Sequence, residues 1–267
     1  MTAVQRYAMG LEYEGTDFYG WQIQPQSPTV QEVVQRALST VANQPITVVC
    51  AGRTDTGVHA RCQVVHFDTD VKRSERGWAL GGNSNLPATV AVRWVKPVLA
   101  SFHARFSAHR RSYRYSLLNR GVRPGLRARY LSWERRPLDV DLMQTAANHL
   151  LGTHDFSAYR TIHCQAPSPV RTMHRLDISK QGDEISFEIE ANAFLQHMVR
   201  NLVGSLIAVG CGQKPPEWIA EVLRSRDRSR AGSTAPSAGL CFLAPRYPRE
   251  FGLPAEVCLA AENVPAD

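Results

Sequence analysis

Hydrophobic and polar positions along the chain predict strands interspersed with a few helices. Residues 5–13 alternate as a strand, and apolar positions across residues 30–41 recur at helical spacing. Thr29 and Glu32 form a T-x-x-E capping box that is expected to start this helix. Pro45 is expected to end it, because proline cannot continue a helix.

Two further strands are predicted around a glycine-flanked loop. Residues 46–50 and residues 63–67 are apolar runs of strand length, and Asp55 lies between them. Gly52 and Gly57 flank this loop and are expected to permit a tight backbone. The pattern therefore predicts that rigid elements hold Asp55 on both sides.

The rest of the chain continues the mixture of strands and helices. The predicted elements are a helix end and turn at 80–86, strands at 90–95 and 110–118, a helix from Asp139 to Leu151 stopped by Gly152, a hairpin over 171–194 turning at 181–183, helices over 194–209 and after Pro215 and Pro216, and a last strand over 239–244. This order favours an α+β fold with a mainly antiparallel sheet. The tail from Leu253 is expected to be peripheral. No glycine-rich phosphate loop follows a strand, so ATP or NAD is not expected.

Charge changes the picture because it is concentrated in one part of the chain. The 267 residues carry a net charge of +7, yet residues 76–133 contain ten Arg, one Lys and no acid. Several aromatic residues, among them Phe106, Tyr113 and Tyr130, lie in the same stretch. Arginine binds phosphate and aromatic faces stack on unpaired bases, so a nucleic acid is the favoured partner. Arginine-rich composition alone is the alternative explanation.

Cysteine and histidine positions argue against a metal or disulfide protein. None of the six cysteines forms a C-x-x-C pair, and His59, His66, His103 and His197 match no metal-binding spacing. Reduced cysteines fit the cytoplasm. The N-terminus has no signal-peptide pattern, and no apolar run is long enough to span a membrane.

The triplet Asp55-Thr56-Gly57 has two interpretations when taken alone. It matches the aspartic protease triplet, but that chemistry needs two carboxylates, so only a homodimer would supply the pair. Polar Thr54 and cationic Arg53 beside it are also unfavourable for such a dyad. The other interpretation is an Asx-turn in which Asp55 bonds only local backbone.

The wider segment, AGRTDTGVHA over residues 51–60, resembles the catalytic motif of the TruA family of tRNA pseudouridine synthases. Thr56 stands where that motif usually has Ala, and it is the one departure. Further blocks match in family order from near residue 7 to near residue 248. They are YGWQ (19–22), QVVHF (63–67), NSNLP (83–87), FHARFSA (102–108), YRY (113–115), NAFLQHMVRN (192–201) and GL (239–240).

The resemblance implies a pseudouridine synthase fold of two similar α/β halves that share a central sheet flanked by helices, with the active-site cleft between them. The implied N-terminal half over residues 1–105 carries the Asp loop. The C-terminal half over residues 106–248 carries the Tyr strand and the Arg helix, and a tail covers residues 249–267. The implied reaction converts uridine to pseudouridine at positions 38, 39 and 40 of the tRNA anticodon stem-loop, without cofactor or metal.

The resemblance also assigns roles to residues of this sequence. Asp55 would be the catalytic nucleophile or base, Arg200 would pair with it, and Tyr113 would stack on the base and take its C5 proton. These three would have to meet in one pocket. The expected substrate-binding residues besides Tyr113 are Arg53, Leu240, His59, Arg105, Arg110 and Arg111.

Each assignment has an alternative from the residues alone. Arg200 lies on an apolar helix and could be a surface side chain that snorkels, and Tyr113 or Tyr115 could be plain core. The family also implies a homodimer that binds one tRNA across both subunits. A non-catalytic RNA-binding protein on the same scaffold is the second hypothesis, and it would be expected to lack Asp55 or Arg200.

Overall fold

The computed structural model describes residues 4–162 and 164–260. Their helices and strands, in chain order, are β1 (Gln5–Tyr13), α1 (Val30–Ala42), β2 (Val49–Cys50), β3 (His59–Thr69), α2 (Glu75–Asn85), β4 (Val90–Val98), β5 (Arg110–Asn119), β6 (Ser132–Glu134), α3 (Val140–Asn148), β7 (Gly152–Asp155), β8 (Val170–Gln181), β9 (Glu184–Ala191), α4 (Met198–Gly210), α5 (Trp218–Ser225) and β10 (Leu240–Arg246). Strands and helices mix as expected, and the predicted α+β class is confirmed.

The described residues form two compact units. Those within Met1–Arg110 and Phe242–Asp267 form unit 1, and those within Arg111–Cys241 form unit 2. In unit 1 the strands follow the order β4-β1-β3-β10, with β2 paired to β3. In unit 2 the order is β5-β9-β8-β7. Strand β6 joins β5 in parallel, whereas β9 pairs with β5 and β8 in antiparallel fashion, so the sheet is mixed.

The sheet of unit 1 is covered on both faces. Tyr7 and Phe67 face each other across β1 and β3, and Trp78 of α2 packs on them with ring centroids 5.1 Å from Phe67. On the opposite face Ala8 and Val64 belong to a core cluster that also contains residues from the two segments after β4 and β10. Because both faces are buried, β1 is apolar over several consecutive positions instead of alternating strictly.

The start of α1 differs from the prediction. Thr29 is the N-cap residue, but its side chain makes no capping bond and its Oγ1 is buried without a hydrogen-bond partner. Backbone carbonyls cap the helix instead, since Gly20 O accepts from Val30 N–H at 3.1 Å and Trp21 O accepts from Gln31 N–H at 3.0 Å. The capping-box prediction is therefore wrong, because a neighbouring loop satisfies the first N–H groups of the helix.

The end of α1 and the following strand also differ. The helix stops at Ala42, where Asn43 adopts a left-handed backbone, so Asn43 and not Pro45 ends it. The strand expected over 46–50 forms only at Val49–Cys50. Ile46 N–H donates to Ser39 Oγ and Val48 N–H donates to Gln35 Oε1, so side chains of α1 replace the ladder bonds that a longer strand would need.

Several other boundaries shift, and one prediction fails. Helix α3 begins after Asp139, whose side chain accepts from Leu142 N–H at 3.0 Å as expected for a cap, but it ends at Asn148. Helix α4 begins at Met198 and not at Phe194. His197 has a left-handed backbone, which interrupts a right-handed helix, so the residues before it are not part of α4. Leu253 and Val257 are buried in the core of unit 1, so the tail is not peripheral up to residue 260. Residues 261–267 lie outside the described part of the chain.

Candidate active site

Asp55 lies on the loop between β2 and β3, as the sequence pattern predicted. Its side chain is half-buried, and its carbonyl oxygen accepts from Val58 N–H at 3.1 Å. Gly57 has a φ of +75°, a backbone conformation that residues with a side chain rarely adopt. Gly52 does not share this requirement, since a Cβ there would meet nothing within 4 Å. Only one of the two flanking glycines is therefore demanded by the loop.

The segment before α1 fixes the position of the loop through its backbone. Trp21 N–H donates to Thr54 O at 3.0 Å, and Gly57 N–H donates to Phe18 O at 3.2 Å. Gly20 lies between them with a φ of +86°, and a Cβ there would come within 2.7 Å of Thr54 O and 3.1 Å of the Asp55 carbonyl carbon. The YGWQ block thus serves the Asp55 loop directly, a role that the sequence alone did not reveal.

Hydrogen bonds between buried polar groups stabilise the Asp55 loop. The Tyr13 hydroxyl and Thr54 Oγ1 share a hydrogen bond of 2.8 Å in the interior. His59, only 5% exposed, accepts Gly15 N–H on Nδ1 at 3.0 Å. A carboxylate oxygen of Glu14 lies 3.4 Å from the same nitrogen. His59 Nδ1 thus accepts from the backbone of Gly15, which fixes the imidazole ring beside the Asp55 loop.

Two of the predicted RNA-binding arginines of unit 1 lie close to the same buried group. Burial raises the pKa of the Cys50 thiol to about 12, and the positive charges of Arg53 and Arg105 oppose this shift. Both arginines are exposed, whereas Arg110 is half-buried. Arg53 on the Asp55 loop and Arg105 after β4 therefore place positive charge around the end of β2.

Unit 2 holds the tyrosines on β5. Tyr113 lies opposite Ile189 of β9, is 8% exposed, and meets Phe194 edge to face with ring centroids 5.0 Å apart. Tyr115 is fully buried, and its hydroxyl lies 2.6 Å from Ser132 Oγ and 3.0 Å from the Pro236 carbonyl. Burial raises the pKa of Tyr115 above its usual range, although the hydrogen bond with Ser132 and the charge of Arg200 oppose the rise. Tyr115 is thus committed to packing.

Arg200 is anchored near the start of α4. Its Nε donates to Ala235 O at 2.7 Å, and Ala235 N–H donates to Arg200 O at 3.1 Å. This reciprocal pair ties the side chain to the segment that leads into β10 and Leu240. Arg200 is half-buried and acts electrostatically on Tyr115, so it is not a side chain that merely extends into solvent.

The segment from 228 to 239 is held against α4 by close packing. A Cβ on Gly204 would come within 1.7 Å of Ser233 O, so the helix tolerates only glycine there. Asn201 Oδ1 accepts from Thr234 Oγ1 at 2.7 Å and from Arg228 Nη2 at 3.1 Å. The NAFLQHMVRN block therefore supplies Arg200. Through Asn201 it also anchors the segment that leads to Leu240, which is 4% exposed.

Much of the acid-free stretch is neutralised by acids from elsewhere in sequence. At least five of its eleven basic residues form ion pairs: Arg93 with Glu12 and Glu256, Lys96 with Glu75, Arg114 with Glu188, Arg120 with Asp183, and Arg127 with Glu184. All five cations are at least a quarter exposed, so each pair is worth little and can yield to a phosphate. The formal charge of the stretch is therefore larger than the net positive charge that it presents at the protein surface.

The site predictions fall into two groups by unit. Asp55, Arg53, His59, Arg105 and Arg110 belong to unit 1, and Arg111, Tyr113, Arg200 and Leu240 belong to unit 2. Arg111 donates from Nη1 to Asn192 O at 2.8 Å. Among residues 4–162 and 164–260, no group of three or more His, Cys, Asp or Glu is arranged to hold a metal ion. No helix in the same part of the chain is long and apolar enough to cross a membrane.

Comparison with known proteins places the chain in a family. The family model described as "tRNA pseudouridine synthase" matches residues 10–107 and 146–248, well over half of the chain. A protein of Stenotrophomonas maltophilia (strain K279a) named tRNA pseudouridine synthase A is 58% identical over 255 residues, covering 95% of this chain and 100% of the relative. A protein of the same name from Xanthomonas oryzae pv. oryzae (strain PXO99A) is 56% identical over 254 residues, covering 94% of this chain and 99% of the relative.

A solved structure gives a much weaker similarity. A chain in the crystal structure of a Cbf5-Nop10-Gar1 complex aligns with 88% of this chain and 57% of its own length, at 10% identity and a TM-score of 0.36, which is too low to support the fold or the function. The family model and the two relatives are sufficient by themselves. This chain belongs to the tRNA pseudouridine synthase family.

Proposed function

We propose that this chain converts uridine to pseudouridine at positions 38, 39 and 40 in the anticodon stem-loop of tRNA, with the Asp55 carboxylate as nucleophile or base. One observation carries the proposal: Asp55 lies in the AGRTDTGVHA segment, inside the first matched region, on a loop held by backbone hydrogen bonds to Trp21 and Phe18. A loop fixed by backbone hydrogen bonds can present a carboxylate in one orientation.

The chemistry needs few groups. The N1–C1′ glycosidic bond breaks, the base turns, and C5 bonds to C1′. The proton lost from C5 balances the proton gained at N1, so substrate and product are isomers. A carboxylate can act on the sugar or the base while the base is detached, and a base must remove the C5 proton.

Within this scheme each remaining catalytic residue has one role. Arg200 keeps the carboxylate ionised and oriented, because a nearby positive charge lowers the pKa of an acid. Tyr113 stacks on the target base and accepts the C5 proton. Its edge-to-face contact with Phe194 fixes the ring plane. The target uridine has to leave its stack to reach Asp55.

Contacts to the RNA are assigned to the arginines. Arg53, Arg105, Arg110 and Arg111 are exposed or half-buried and suit phosphate contacts. Arg53 is in addition the residue that helps to extrude the nucleotide. Leu240 and His59 are mostly buried, so they shape the base pocket and the Asp55 loop instead of binding the tRNA backbone.

We extend the proposal to assembly and location. Two copies of the chain form a homodimer that binds one tRNA, and the enzyme works in the cytoplasm on its tRNA substrate. Sedimentation of the purified protein, alone and with one equivalent of tRNA, checks the assembly. A monomer under both conditions would refute the dimer.

The decisive experiment maps pseudouridine in an unmodified tRNA transcript after incubation with purified protein and no added cofactor. Wild type should modify the anticodon arm, whereas Asp55→Asn should bind the transcript and leave it unmodified. Asp70→Asn is the matched control, since Asp70 is an exposed acid of the same unit, and it should retain full activity. Activity in Asp55→Asn would refute the assignment.

The two alternatives give other outcomes. A binding-only protein would hold the transcript without modifying it, in wild type as in Asp55→Asn. A dimeric aspartic protease would cleave peptides and be blocked by a peptide transition-state mimic. For the arginines, binding should weaken steeply as salt rises, because released counterions drive phosphate contacts. If binding of the transcript did not change with salt concentration, these arginines would not be the residues that contact the RNA phosphates.

A further inference from the structure

An exposed aromatic ring stands on a rigid loop in unit 1. Phe106 is 75% exposed, whereas Phe102 and Ala104 in the same FHARFSA block are fully buried. Ala104 N–H donates to His66 Nδ1 at 3.1 Å, and Ala104 O accepts from the Tyr247 hydroxyl at 2.7 Å. The loop is thus anchored on both sides by buried residues, while most of the Phe106 side chain is exposed to solvent.

The ring of Phe106 is held in a defined orientation. His103 stacks on it with ring centroids 4.3 Å apart and planes 28° apart. The His103 ring is fixed in turn, because its Nδ1 accepts N–H groups of Arg105 and Phe106, each at 3.2 Å. The Arg105 guanidinium lies 5.6 Å from the centroid of Phe106. An exposed aromatic surface with a cation beside it is therefore preformed.

This surface lies close to the Asp55 loop within unit 1. Arg105 and Arg53 both act on the Cys50 thiol, at the end of the strand that leads into the loop. Ala51 and Ala104 belong to one core cluster. The loop that bears Arg105 and Phe106 therefore shares a core and a region of positive charge with the segment that leads into the Asp55 loop.

The chemistry of the surface fits an unpaired nucleotide. A base stacks on an aromatic ring whatever its sequence, and an adjoining arginine takes the phosphate. We propose that Phe106, backed by His103 and flanked by Arg105, stacks on an unpaired base of the RNA substrate next to the modified uridine. The inference rests on the proposed function and adds a positioning residue that holds the substrate strand while the uridine is extruded.

The test compares Phe106→Ala, Phe106→Leu and Phe106→Trp on an anticodon stem-loop transcript. Phe106→Ala should raise Kd and KM about 5- to 150-fold, as expected for the loss of one stacked base, and leave kcat nearly unchanged. Phe106→Trp should match wild type, and Phe106→Leu should stay defective because it is apolar without a ring. Val4→Ala is the control for an exposed apolar residue of the same unit outside the arginine-rich stretch, as Val4 is 70% exposed, and it should change nothing.

Fluorescence locates the contact. With 2-aminopurine placed at each unpaired position in turn, wild type should quench one position and Phe106→Ala should not, while both unfold at the same temperature. Equal Kd, KM and quenching in wild type and Phe106→Ala would overturn the inference. The inference would also be overturned if Phe106→Ala changed only the sedimentation of the protein, since the ring would then contact another protein chain and not RNA. Failure of the proposed function would look different, because wild type itself would then form no pseudouridine.

Discussion

The backbone of Trp21 joins the Asp55 loop to helix α1. Its N–H donates to Thr54 O at 3.0 Å, and its carbonyl accepts from Gln31 N–H in the first turn of the helix, also at 3.0 Å. The same short segment therefore satisfies an unpaired helix terminus and fixes the residue before Asp55. Because these are backbone contacts, they depend on chain conformation and close approach more than on any one side chain.

Gly20→Ala should disturb the Asp55 loop. A methyl group there would lie 2.7 Å from Thr54 O, and the φ of +86° is unfavourable for alanine. We expect a loss of about 1 to 3 kcal/mol in the free energy of unfolding and at least a tenfold fall in kcat for pseudouridine formation. Denaturant unfolding and single-turnover kinetics measure the two effects.

Gly52→Ala provides the matched control on the same loop. A Cβ at this position meets nothing within 4 Å. It should change stability by less than about 0.5 kcal/mol and leave kcat near the wild-type value. If both variants behaved alike, close packing at Gly20 could not be what places Asp55.

Thr29→Val should be neutral or stabilising by up to about 1 kcal/mol. The Thr29 hydroxyl is buried without a hydrogen-bond partner, and removing an unsatisfied polar group relieves its desolvation penalty. The extended backbone, with φ of −130° and ψ of 151°, also suits valine. A capping hydroxyl would behave oppositely, so a loss of about 1 kcal/mol on denaturant unfolding would contradict the structure.

The contrast between Thr29 and Asp139 shows what the sequence could and could not predict. Both residues match a cap pattern, yet only Asp139 makes the bond. Whether a cap is used depends on which groups approach the helix end from distant parts of the chain, and at α1 these are the carbonyls of Gly20 and Trp21. Local pattern identified the helix itself, because apolar spacing is a local property.

The candidate site divides in the same way. Asp55, Tyr113 and Arg200 could be assigned roles because their surrounding letters match a family motif, and the elements that carry them were expected. The supports of the site were missed: Gly204 against Ser233 and Gly20 against Thr54 are approaches between segments far apart in sequence. Strand 46–50 was overpredicted because apolar letters do not reveal that α1 side chains satisfy its backbone.

Stability should fall as pH drops from about 6.5 to about 4, in part through His66. Burial, followed by the charges of His103 and Arg6, lowers the pKa of His66 to about 4, against the opposing charge of Asp68. The unfolded chain therefore binds the proton more readily in this window, so lower pH favours unfolding, and the effect is absent above pH 6.5. Its size should be about 1 to 2 kcal/mol after allowance for solvent.

Unfolding of His66→Asn across this range checks the effect. Asn can still accept the Ala104 N–H, so the fold should survive while part of the pH dependence is lost. His149→Asn, at an exposed position, should keep the wild-type slope. His103 should contribute in the same direction, since burial also lowers its pKa. An unchanged slope in His66→Asn would show that other groups carry the acid sensitivity.

Tyr113→Phe and Tyr115→Phe should separate catalysis from packing on one strand. Tyr115→Phe leaves the Pro236 carbonyl without its phenol donor in the interior, so it should cost about 1 to 2 kcal/mol of stability and barely change kcat in the folded enzyme. Tyr113→Phe keeps the ring contact with Phe194 but removes the proposed proton acceptor, so kcat should fall by about 100-fold or more. Binding of the transcript should persist, since the ring can still stack on the base.

Single-turnover kinetics at saturating enzyme, alongside denaturant unfolding, measures both variants. The opposite result, a catalytic defect in Tyr115→Phe with Tyr113→Phe fully active, would transfer the proton-accepting role to Tyr115 despite its buried hydroxyl.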